Sequence, residues 1–391
     1  MKKALLLGSS FSALPLLSNL QARGYLVTVV GKYEHDPCHQ YADRSLFLDY
    51  SDEGFAKLDL DYASYEAVVP SCNDYSYLSG AKIAELFGQA GYDSVSKTQL
   101  LHEKHRFRRF CNQNGIRAPR VLLEATCAAS LLDKALEFPA IVKPVDSFSG
   151  RGTNIVHDHA EALRAVDLAI AQSRVSRAIV EQFVDGSLHS HSAFIRNGAI
   201  VWEEFVDEFC GVYPYQVDRS QYPSCLTRSL KKEINSEIVK VVEILGLVDG
   251  LMHTQFIARG QEFWIIECMR RCPGDLFPEH FSRDVGSTYW QRYLDAFLGL
   301  PIDLTQSGGN SRRVERHVLS TSSVLAFYGV ALTGNFEQVT IIPVKESGRI
   351  MNPAPYDKAA IVFIMESTSP TSTIDTSVAV IPHDFSSRTE P

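Results

Sequence analysis

The sequence predicts a protein of α/β plus α+β class, in which a parallel sheet is followed by antiparallel sheet and helices. In the N-terminal part, short apolar runs alternate with helical stretches, which is the pattern of parallel strands joined by crossover helices. Further along, Asn197-Gly198 and Arg259-Gly260 each separate two apolar runs, and such glycine-containing pairs indicate β-hairpins. The 391 residues are 45% hydrophobic, which is more than one core usually holds, so we expect two or three domains.

The first predicted domain, residues 1–96, is a parallel sheet with crossover helices. We predict strands at 3–8, 26–31 and 67–70 and helices at 11–23 and 75–88. Two lysines and an apolar run at the N-terminus are also typical of a secretory signal. However, Gly8-Ser9-Ser10 interrupts that run and a second strand follows, so a strand–loop–helix–strand unit is the better interpretation. This turn lacks the G-x-G-x-x-G pattern, so we assign it no nucleotide and do not favour a Rossmann dehydrogenase.

The other two predicted domains are residues 97–305 and 306–391. In the second domain we predict strands at 139–145, 153–157 and 178–183 and helices at 97–115, 159–172 and 228–245. The third domain begins with a linker-like run at 306–311, and strands are predicted at 324–333, 338–344 and 360–366. Its C-terminal end is rich in Ser, Thr and Pro, and we expect it to be frayed.

Composition excludes several classes of partner. The formal net charge is -8, which disfavours general binding to a phosphate backbone, so we expect no nucleic-acid partner. No apolar run approaches the ~20 residues that cross a bilayer, so we expect no membrane partner. The eight cysteines are scattered without a C-x2-C pair. That spacing argues against a zinc site and favours reduced thiols in a cytoplasmic protein.

Four features of the middle segment together suit a site for phosphate, metal and an anionic substrate. They are Lys104, the run Ile141-Val142-Lys143-Pro144 with the loop 146–153, the strand 179–186, and the stretch 263–275. A lysine inside an apolar strand buries its stem, and its ammonium must then find an anion. The Ser/Gly-rich loop can present backbone amides to phosphate. A carboxylate beside two arginines, as at 267–271, suits a place where metal, phosphate and an anionic substrate meet.

Each feature alone has an ordinary structural interpretation. Lys143 is also compatible with an edge residue that extends to solvent, and the loop with a flexible hairpin. Glu181 is compatible with a hairpin end, and Arg270-Arg271 with a surface ion-pair cluster. Their joint occurrence in this order and at these spacings is what indicates a nucleotide site.

With these motifs, residues 1–305 and the C-terminal segment resemble the ATP-grasp superfamily, in the branch of biotin carboxylase and carbamoyl-phosphate-synthetase-like ligases. The I-V-K-P run with its small-residue loop and the E-C-M-R-R-C-P-G-D stretch carry the resemblance. It implies a Rossmann-like pre-ATP-grasp domain, an ATP-grasp domain of two lobes that enclose ATP, and a small C-terminal β-rich domain. Homodimers are common in the family, although no surface segment of the sequence indicates an interface.

The resemblance also implies roles for individual residues. Lys104 and Lys143 match the two lysines that reach the phosphates, and residues 147–153 match the loop that closes over them. The residues implied to bind ATP are Lys104, Lys143, Ser147, Ser149, Gly150, Arg151, Gly152, Glu181, Gln182, Phe183, Val184 and His189. Glu267 matches the carboxylate that bridges two Mg²⁺ ions. Arg271, with Arg270 and Lys143, is implied in catalysis.

Three positions depart from the family pattern. The second metal-binding Glu, twelve residues before Glu267, is here Gln255, whose carbonyl can coordinate but carries no charge. His253 is a candidate to assist there. The usual Asn after the bridging Glu is Met269, which is a poor ligand for a hard cation. Leu188 stands where some members place a ribose-binding Glu.

The implied reaction is ATP-dependent ligation of a carboxylate to an amine through an acyl phosphate. The predicted cofactors are ATP and Mg²⁺, and the partners are a small carboxylate and an amine. An aromatic segment within 203–225, with Tyr213, Tyr215 and Tyr222, is expected to shape the acceptor pocket, which favours amino acids or peptides. The alternatives are a bicarbonate-activating carboxylase or carbamoyl-phosphate-type enzyme, and a non-catalytic ATP-binding regulator, which the changes at Gln255 and Met269 would suit.

Overall fold

The computed structural model describes most of the chain in two compact units. The described residues are 2–148, 150–281, 289–303, 313–326, 328–334, 336–346, 348–365 and 377–382. Unit 1 comprises Met1–Glu124, Glu181–Phe205 and Leu226–Gly309. Unit 2 comprises Ala125–Val180, Val206–Cys225 and Asn310–Pro391.

Helices and strands alternate in the N-terminal part, and strands dominate the C-terminal part. The helices are α1 Leu14–Ala22, α2 Cys38–Tyr41, α3 Asp74–Phe87, α4 Val95–His102, α5 Lys104–Asn114, α6 His159–Gln172, α7 Arg228–Leu245 and α8 Tyr289–Phe297. The strands are β1 Lys2–Leu7, β2 Tyr25–Val30, β3 Arg44–Leu46, β4 Ala67–Pro70, β5 Val121–Ala125, β6 Ala140–Pro144, β7 Asn154–Val156, β8 Ala178–Gln182, β9 Ser187–Arg196, β10 Ala199–Phe209, β11 Arg219–Tyr222, β12 Gly250–Arg259, β13 Glu262–Met269, β14 Val314–Leu319, β15 Tyr328–Thr333, β16 Gln338–Pro343, β17 Ala360–Met365 and β18 Ser377–Pro382. Across the described residues, no helix combines the length and the apolar character that a bilayer crossing requires.

Unit 1 begins with a parallel sheet in the order β3-β2-β1-β4. Its central strands are apolar runs with almost no exposed side chain, as parallel strands covered on both faces require. The predicted N-terminal parallel sheet is therefore confirmed. After β1, Gly8 has φ 139°, and a Cβ there would lie 2.0 Å from Oγ of Ser71. Only glycine fits this turn, so its role is structural.

The prediction of one long helix over 97–115 is wrong, because α4 and α5 are separate helices. Glu103 lies between them in an extended conformation, with φ -87° and ψ 111°. Its amide ends α4 by donating to the carbonyl of Gln99, and its own carbonyl accepts from Phe107 in α5. Its carboxylate binds Nε of Arg106 at 2.6 Å. A single charged residue with strong local partners separates the two helices. Hydrophobic periodicity does not reveal such a break.

The second part of unit 1 contains antiparallel strands in the order β13-β12-β9. The hairpin predicted at Asn197-Gly198 is confirmed between β9 and β10. Both residues have left-handed backbone, with φ 53° and 75°, which is the geometry of a two-residue hairpin turn. The hairpin predicted at Arg259-Gly260 is confirmed between β12 and β13. Helices α5 and α7 cover one face of these strands with a common apolar core.

Unit 2 contains antiparallel sheet and one covering helix. The end of β10 pairs with β11, followed by β14, β17 and β16, while β6 pairs with β7. The expectation of a wholly frayed C-terminal end is wrong in part, because β18 pairs with β15 over six residues. Val378, Val380 and Ile381 are β-branched residues, which are enriched in strands. The predicted linker at 306–311 lies outside the described residues.

Candidate active site

A row of three oxygen-bearing side chains crosses the antiparallel strands of unit 1. Gln255 on β12 lies directly opposite Glu267 on β13 and Ser190 on β9. Directly opposite residues share a face of the sheet and have Cβ atoms about 5 Å apart. Gln255 and Glu267 are half-buried. The two predicted metal ligands are thus brought together, side by side, with access to solvent.

The next row on the same face is made of groups less suited to a metal. Met269 lies opposite His253, which lies opposite Ser192. Nδ1 of His253 is 2.8 Å from Oγ of Ser192, and its ring packs edge-on to Phe277. His253 is buried. The hydrogen bond and the ring contact keep it in the sheet interior, which favours a structural role over metal binding.

The donor set of the first row fits Mg²⁺, although its negative charge is smaller than that of two carboxylates. Among the described residues, no group of three or more His, Cys, Asp and Glu side chains could hold a metal ion. Mg²⁺, however, keeps several waters and needs only one or two protein oxygens together with substrate phosphates. Glu267 supplies a carboxylate and Gln255 a carbonyl oxygen. This set suits a metal that arrives with a nucleotide better than one bound tightly by protein alone.

His189 lies on the opposite face of these strands. It pairs with Phe256, and the two rings stack with centroids 5.5 Å apart. Its Nε2 is 2.7 Å from Oγ of Ser187. Side chains alternate along a strand, so His189 points away from the face of Gln255 and Glu267. The structure therefore does not bring His189 together with the metal-binding row.

The predicted adenine-binding hinge, residues 181–184, begins within the end of β8. Glu181 is fully buried, and its Oε1 is 2.7 Å from Nε of Arg108 in α5. The amide of Gln182 donates to the carbonyl of Arg120 at 2.9 Å. Gln182 is exposed, Phe183 half-buried and Val184 buried. The carboxylate of Glu181 is thus used to hold the hinge on α5, and adenine recognition by Glu181 would have to come from its backbone.

Arg271 pairs with a carboxylate, Asp74, that sequence reasoning missed. Nε of Arg271 donates to Oδ1 of Asp74 at 2.8 Å. Burial raises the pKa of Asp74, but the charges of Arg271, His102 and Lys104 outweigh it and hold that pKa at about 2. The nearby charge of Glu267 also helps to raise the pKa of Arg271. In unit 1, Lys104 and Arg271 therefore both act on Asp74, and Glu267 acts on Arg271. The sequence contained a signal that could have identified Asp74, because this residue follows the carboxyl end of β4, where α/β sheets bind ligands.

Arg270 lies in the protein interior. Its Nε donates to Oδ2 of Asp93 at 2.8 Å, and its other two nitrogens donate to the carbonyls of Leu251 and Val248. The Arg270 and Asp93 side chains are 1% and 0% exposed. All three nitrogens of the guanidinium have a protein partner, so the geometry favours a structural role for Arg270. Arg271, which is half-buried, keeps access to the site.

In unit 2, the second lysine and the glycine loop lie on consecutive elements. Lys143 is buried on β6, and the phosphate loop (residues 147–153) connects β6 to β7. Gly150 and Gly152 have left-handed backbone, with φ 67° and 72°. Ser147 donates its hydroxyl to the carbonyl of Arg151 at 2.8 Å. Ser149 lies outside the described residues.

Arg151 is the only charged side chain among loop residues 147–153. Its guanidinium lies 5.2 Å from the ring centroids of both Phe148 and Tyr356. Cation–π contacts of this kind attract the guanidinium to the ring faces. Arg151, a loop residue predicted to bind ATP, is thus held by two aromatic rings in unit 2.

Comparison with known proteins shows what this chain is similar to. Residues 105–273 match the model of the carbamoyl-phosphate synthase L chain, ATP binding domain. The chain is 27% identical over 318 residues to formate-dependent phosphoribosylglycinamide formyltransferase of Thioalkalivibrio sulfidiphilus strain HL-EbGR7, with 77% of each chain covered.

Two solved structures share the whole architecture. The L-amino acid ligase of Bacillus licheniformis superposes with TM-score 0.73 at 18% identity, covering 94% of this chain and 93% of the other. The biotin carboxylase domain of Hydrogenobacter thermophilus 2-oxoglutarate carboxylase, solved with MgADP and bicarbonate, superposes with TM-score 0.72 at 15% identity, covering 93% and 86%.

These findings define the protein class as ADP-forming ligases that use ATP with Mg²⁺ to make C–N bonds. The chain has the ATP-grasp fold, and its middle segment is similar to the ATP-binding domain of the carbamoyl-phosphate synthase L chain. The resemblance carried by the I-V-K-P and E-C-M-R-R-C-P-G-D motifs is confirmed.

Proposed function

We propose that this ligase activates a small carboxylic acid, such as formate, with ATP and transfers the acyl group to an amine. The observation that carries the proposal is the grouping in unit 1 of Glu267 and Gln255 with Arg271 and Lys104. The oxygen donors for Mg²⁺ lie side by side there. The cations that suit phosphate or carboxylate influence the pKa values of neighbouring groups in the same unit. The relative named for formate supports the choice of acid.

The proposal assigns the roles that the resemblance implies to residues within each unit. In unit 2, Lys143 and the amides of the phosphate loop bind phosphates. In unit 1, Lys104 binds phosphate, the hinge residues 181–184 bind adenine, and Glu267 with Gln255 holds Mg²⁺. Arg271 binds the acid and the acyl phosphate, since a guanidinium fork suits both anions. We assign no catalytic role to Arg270 and no ribose contact to His189.

The chemistry follows from charge. A carboxylate oxygen attacks the γ-phosphorus, a new O–P bond forms, and the bond to the β-phosphate oxygen breaks to release ADP. The amine then attacks the acyl carbon, phosphate leaves with the bonding electrons, and the amine loses a proton. Bound Mg²⁺ supplies neutralisation of phosphate charge. Lys104, Lys143 and Arg271 contribute positioning and charge stabilisation, which are the main sources of rate in phosphoryl transfer.

Trapping with hydroxylamine tests this proposal without knowledge of the natural amine. The enzyme is incubated with ATP, MgCl₂, hydroxylamine and one acid, either formate, acetate, glycine or bicarbonate, and hydroxamate and phosphate are measured. We expect formohydroxamate and an equal amount of phosphate, with both products lost in Lys143→Ala and Glu267→Gln. Phosphate release with bicarbonate alone would instead indicate the carboxylase function. ATP binding without hydroxamate or phosphate from any acid would overturn the proposal.

Three further features remain proposals. We propose the domain boundaries 1–96, 97–305 and 306–391, a cytoplasmic location and a homodimer, because the resemblance to the ATP-grasp superfamily implies this organisation. The preference for amino acids or peptides that the aromatic segment suggested is tested by the glycine arm of the trapping experiment.

A further inference from the structure

Two tyrosines of unit 2 lie against the phosphate loop. Tyr213 donates its hydroxyl to the carbonyl oxygen of Gly150 at 3.2 Å. The amide of Ile155, just after the loop, donates to the hydroxyl of Tyr215 at 3.0 Å. The two tyrosine rings meet edge to face with centroids 5.9 Å apart. The tyrosine pair therefore contacts both the middle of the loop and the strand that follows it.

The loop backbone packs directly on Tyr215. A Cβ added to Gly150 would lie 2.3 Å from Cβ of Tyr215 and 2.6 Å from its carbonyl oxygen. Real atoms do not approach that closely, and φ of 67° at Gly150 is itself a left-handed conformation. The glycine is thus needed for this contact as well as for the turn.

The carbonyls of the loop are held, which orients its amides. The Gly150 carbonyl accepts from Tyr213 and from the amide of Thr153 at 3.1 Å, and the Arg151 carbonyl accepts from Ser147. Because a peptide unit is planar, a fixed carbonyl fixes the direction of the next amide. Within the described part of the chain, the amide of Gly152 donates to no partner. Successive amides around left-handed glycines form an anion-binding concavity.

We propose that Tyr213 and Tyr215 are positioning residues for ATP, which hold the phosphate loop in the conformation that directs the amide of Gly152 to the β- and γ-phosphates, while the amides of Arg151 and Thr153 donate within the loop. This inference rests on the proposed function, in which the loop binds ATP phosphates. It gives the aromatic segment a role different from the acceptor pocket that the sequence suggested. Neither tyrosine touches the acid or the amine in this proposal.

Nucleotide affinities of tyrosine variants test the inference. Tyr213→Phe and Tyr215→Phe each remove one hydroxyl and keep the ring. Each variant is titrated calorimetrically with adenylyl imidodiphosphate and MgCl₂, and separately with AMP. We expect affinity for the triphosphate analogue to fall about 3- to 10-fold in each variant, as loss of one hydrogen bond implies. Affinity for AMP, which lacks the β- and γ-phosphates, should stay at the wild-type value.

Two controls separate the possible failures. Tyr41→Phe makes the same change at a tyrosine that is 62% exposed, and it should bind both nucleotides as the wild type does. Unchanged triphosphate affinity in both loop variants, or an equal loss for AMP, would overturn the inference. Lys143→Ala tests the proposed function itself. If it weakens triphosphate binding while the tyrosine variants do not, only the positioning role falls, whereas no effect of Lys143→Ala overturns the proposed function.

Discussion

At the residue scale, Gln255 sets the charge of the row that we propose binds Mg²⁺. It lies directly opposite Glu267 across two strands, so Gln255→Glu places a second carboxylate beside the first. Since ligand charge tunes affinity for a divalent cation, we expect the Mg²⁺ concentration for half-maximal ATP turnover to fall about 3- to 10-fold. Phosphate release at a series of MgCl₂ concentrations measures it.

The matched control is Gln261→Glu, which adds the same charge at an exposed position of the same hairpin. It should leave the Mg²⁺ requirement unchanged. An equal shift in both variants would show a general effect of net charge, and no shift in Gln255→Glu would remove Gln255 from the metal-binding row.

Arg270 and Arg271 are neighbours in sequence with different environments. Arg270→Met leaves Asp93 buried without its partner, and we expect the free energy of unfolding to fall by about 3–5 kcal/mol. Urea denaturation followed by circular dichroism measures it. Arg259→Met, at a surface pair with Glu262 that is more than half exposed, should cost less than about 1 kcal/mol. An Arg270→Met protein as stable as the Arg259 variant would contradict the structural role.

The carboxyl group of Asp74 makes the stability of the folded protein depend on pH. Its carboxyl pKa is held at about 2 in the folded protein, below the ordinary 3.8, so its stabilising contribution is present above about pH 4 and is lost as the pH falls towards 2. The difference in melting temperature between the wild type and Asp74→Asn should therefore be largest at pH 5 and narrow between about pH 4 and 3. Melting curves at these pH values measure it.

Asp59→Asn, at an exposed aspartate, serves as control and should show no such narrowing. A difference between wild type and Asp74→Asn that stays constant with pH would show that Asp74 contributes through packing and not through its charge.

At the scale of elements, a buried ion pair joins helix α5 to the end of strand β8. The Arg108 and Glu181 side chains are 1% and 0% exposed. Arg108→Met leaves a buried carboxylate, and we expect it to destabilise the protein more than the double variant Arg108→Met/Glu181→Gln does. Urea denaturation of both single variants and the double variant gives the coupling free energy. Additive losses would show that the two side chains stabilise their elements separately.

Elements were predictable where their signal is local. The Asn197-Gly198 turn, the I-V-K-P strand and the apolar runs of the first sheet appear as expected, because turn chemistry and strand periodicity act over a few residues. The division of 97–115 into α4 and α5 was missed, since it depends on the side-chain partners of one glutamate. Strand β18 was missed because its partner, β15, lies about 50 positions earlier in the chain.

The residues of the candidate site were predictable by type and less so by direction. Gln255 and Glu267 do lie side by side, yet the sequence could not show that His189 faces the other side of the same strands. That outcome depends on the register between β9 and β12. The burial of Arg270 on Asp93, and the pairing of Arg271 with Asp74, join positions far apart in sequence. Such long-range pairs leave no local pattern.

At the scale of the whole molecule, the fold agrees with several chemistries. The structures of an L-amino acid ligase and of a biotin carboxylase domain superpose about equally well, so architecture alone does not choose between an organic acid and bicarbonate. The proposed function requires activation of a carboxylate by ATP. The residues proposed to bind metal, phosphates and acid in this chain have the charges that step requires.

Transfer of oxygen from acid to phosphate tests acyl-phosphate formation most directly. Formate labelled in both oxygens with oxygen-18 is incubated with the enzyme, ATP, MgCl₂ and hydroxylamine, and the released phosphate is analysed by mass spectrometry. Formation of an acyl phosphate predicts that each phosphate carries one labelled oxygen, because the acid's oxygen stays with phosphorus when the acyl group departs. Phosphate released without label would show that ATP is hydrolysed by water, and would contradict acyl-phosphate formation from formate.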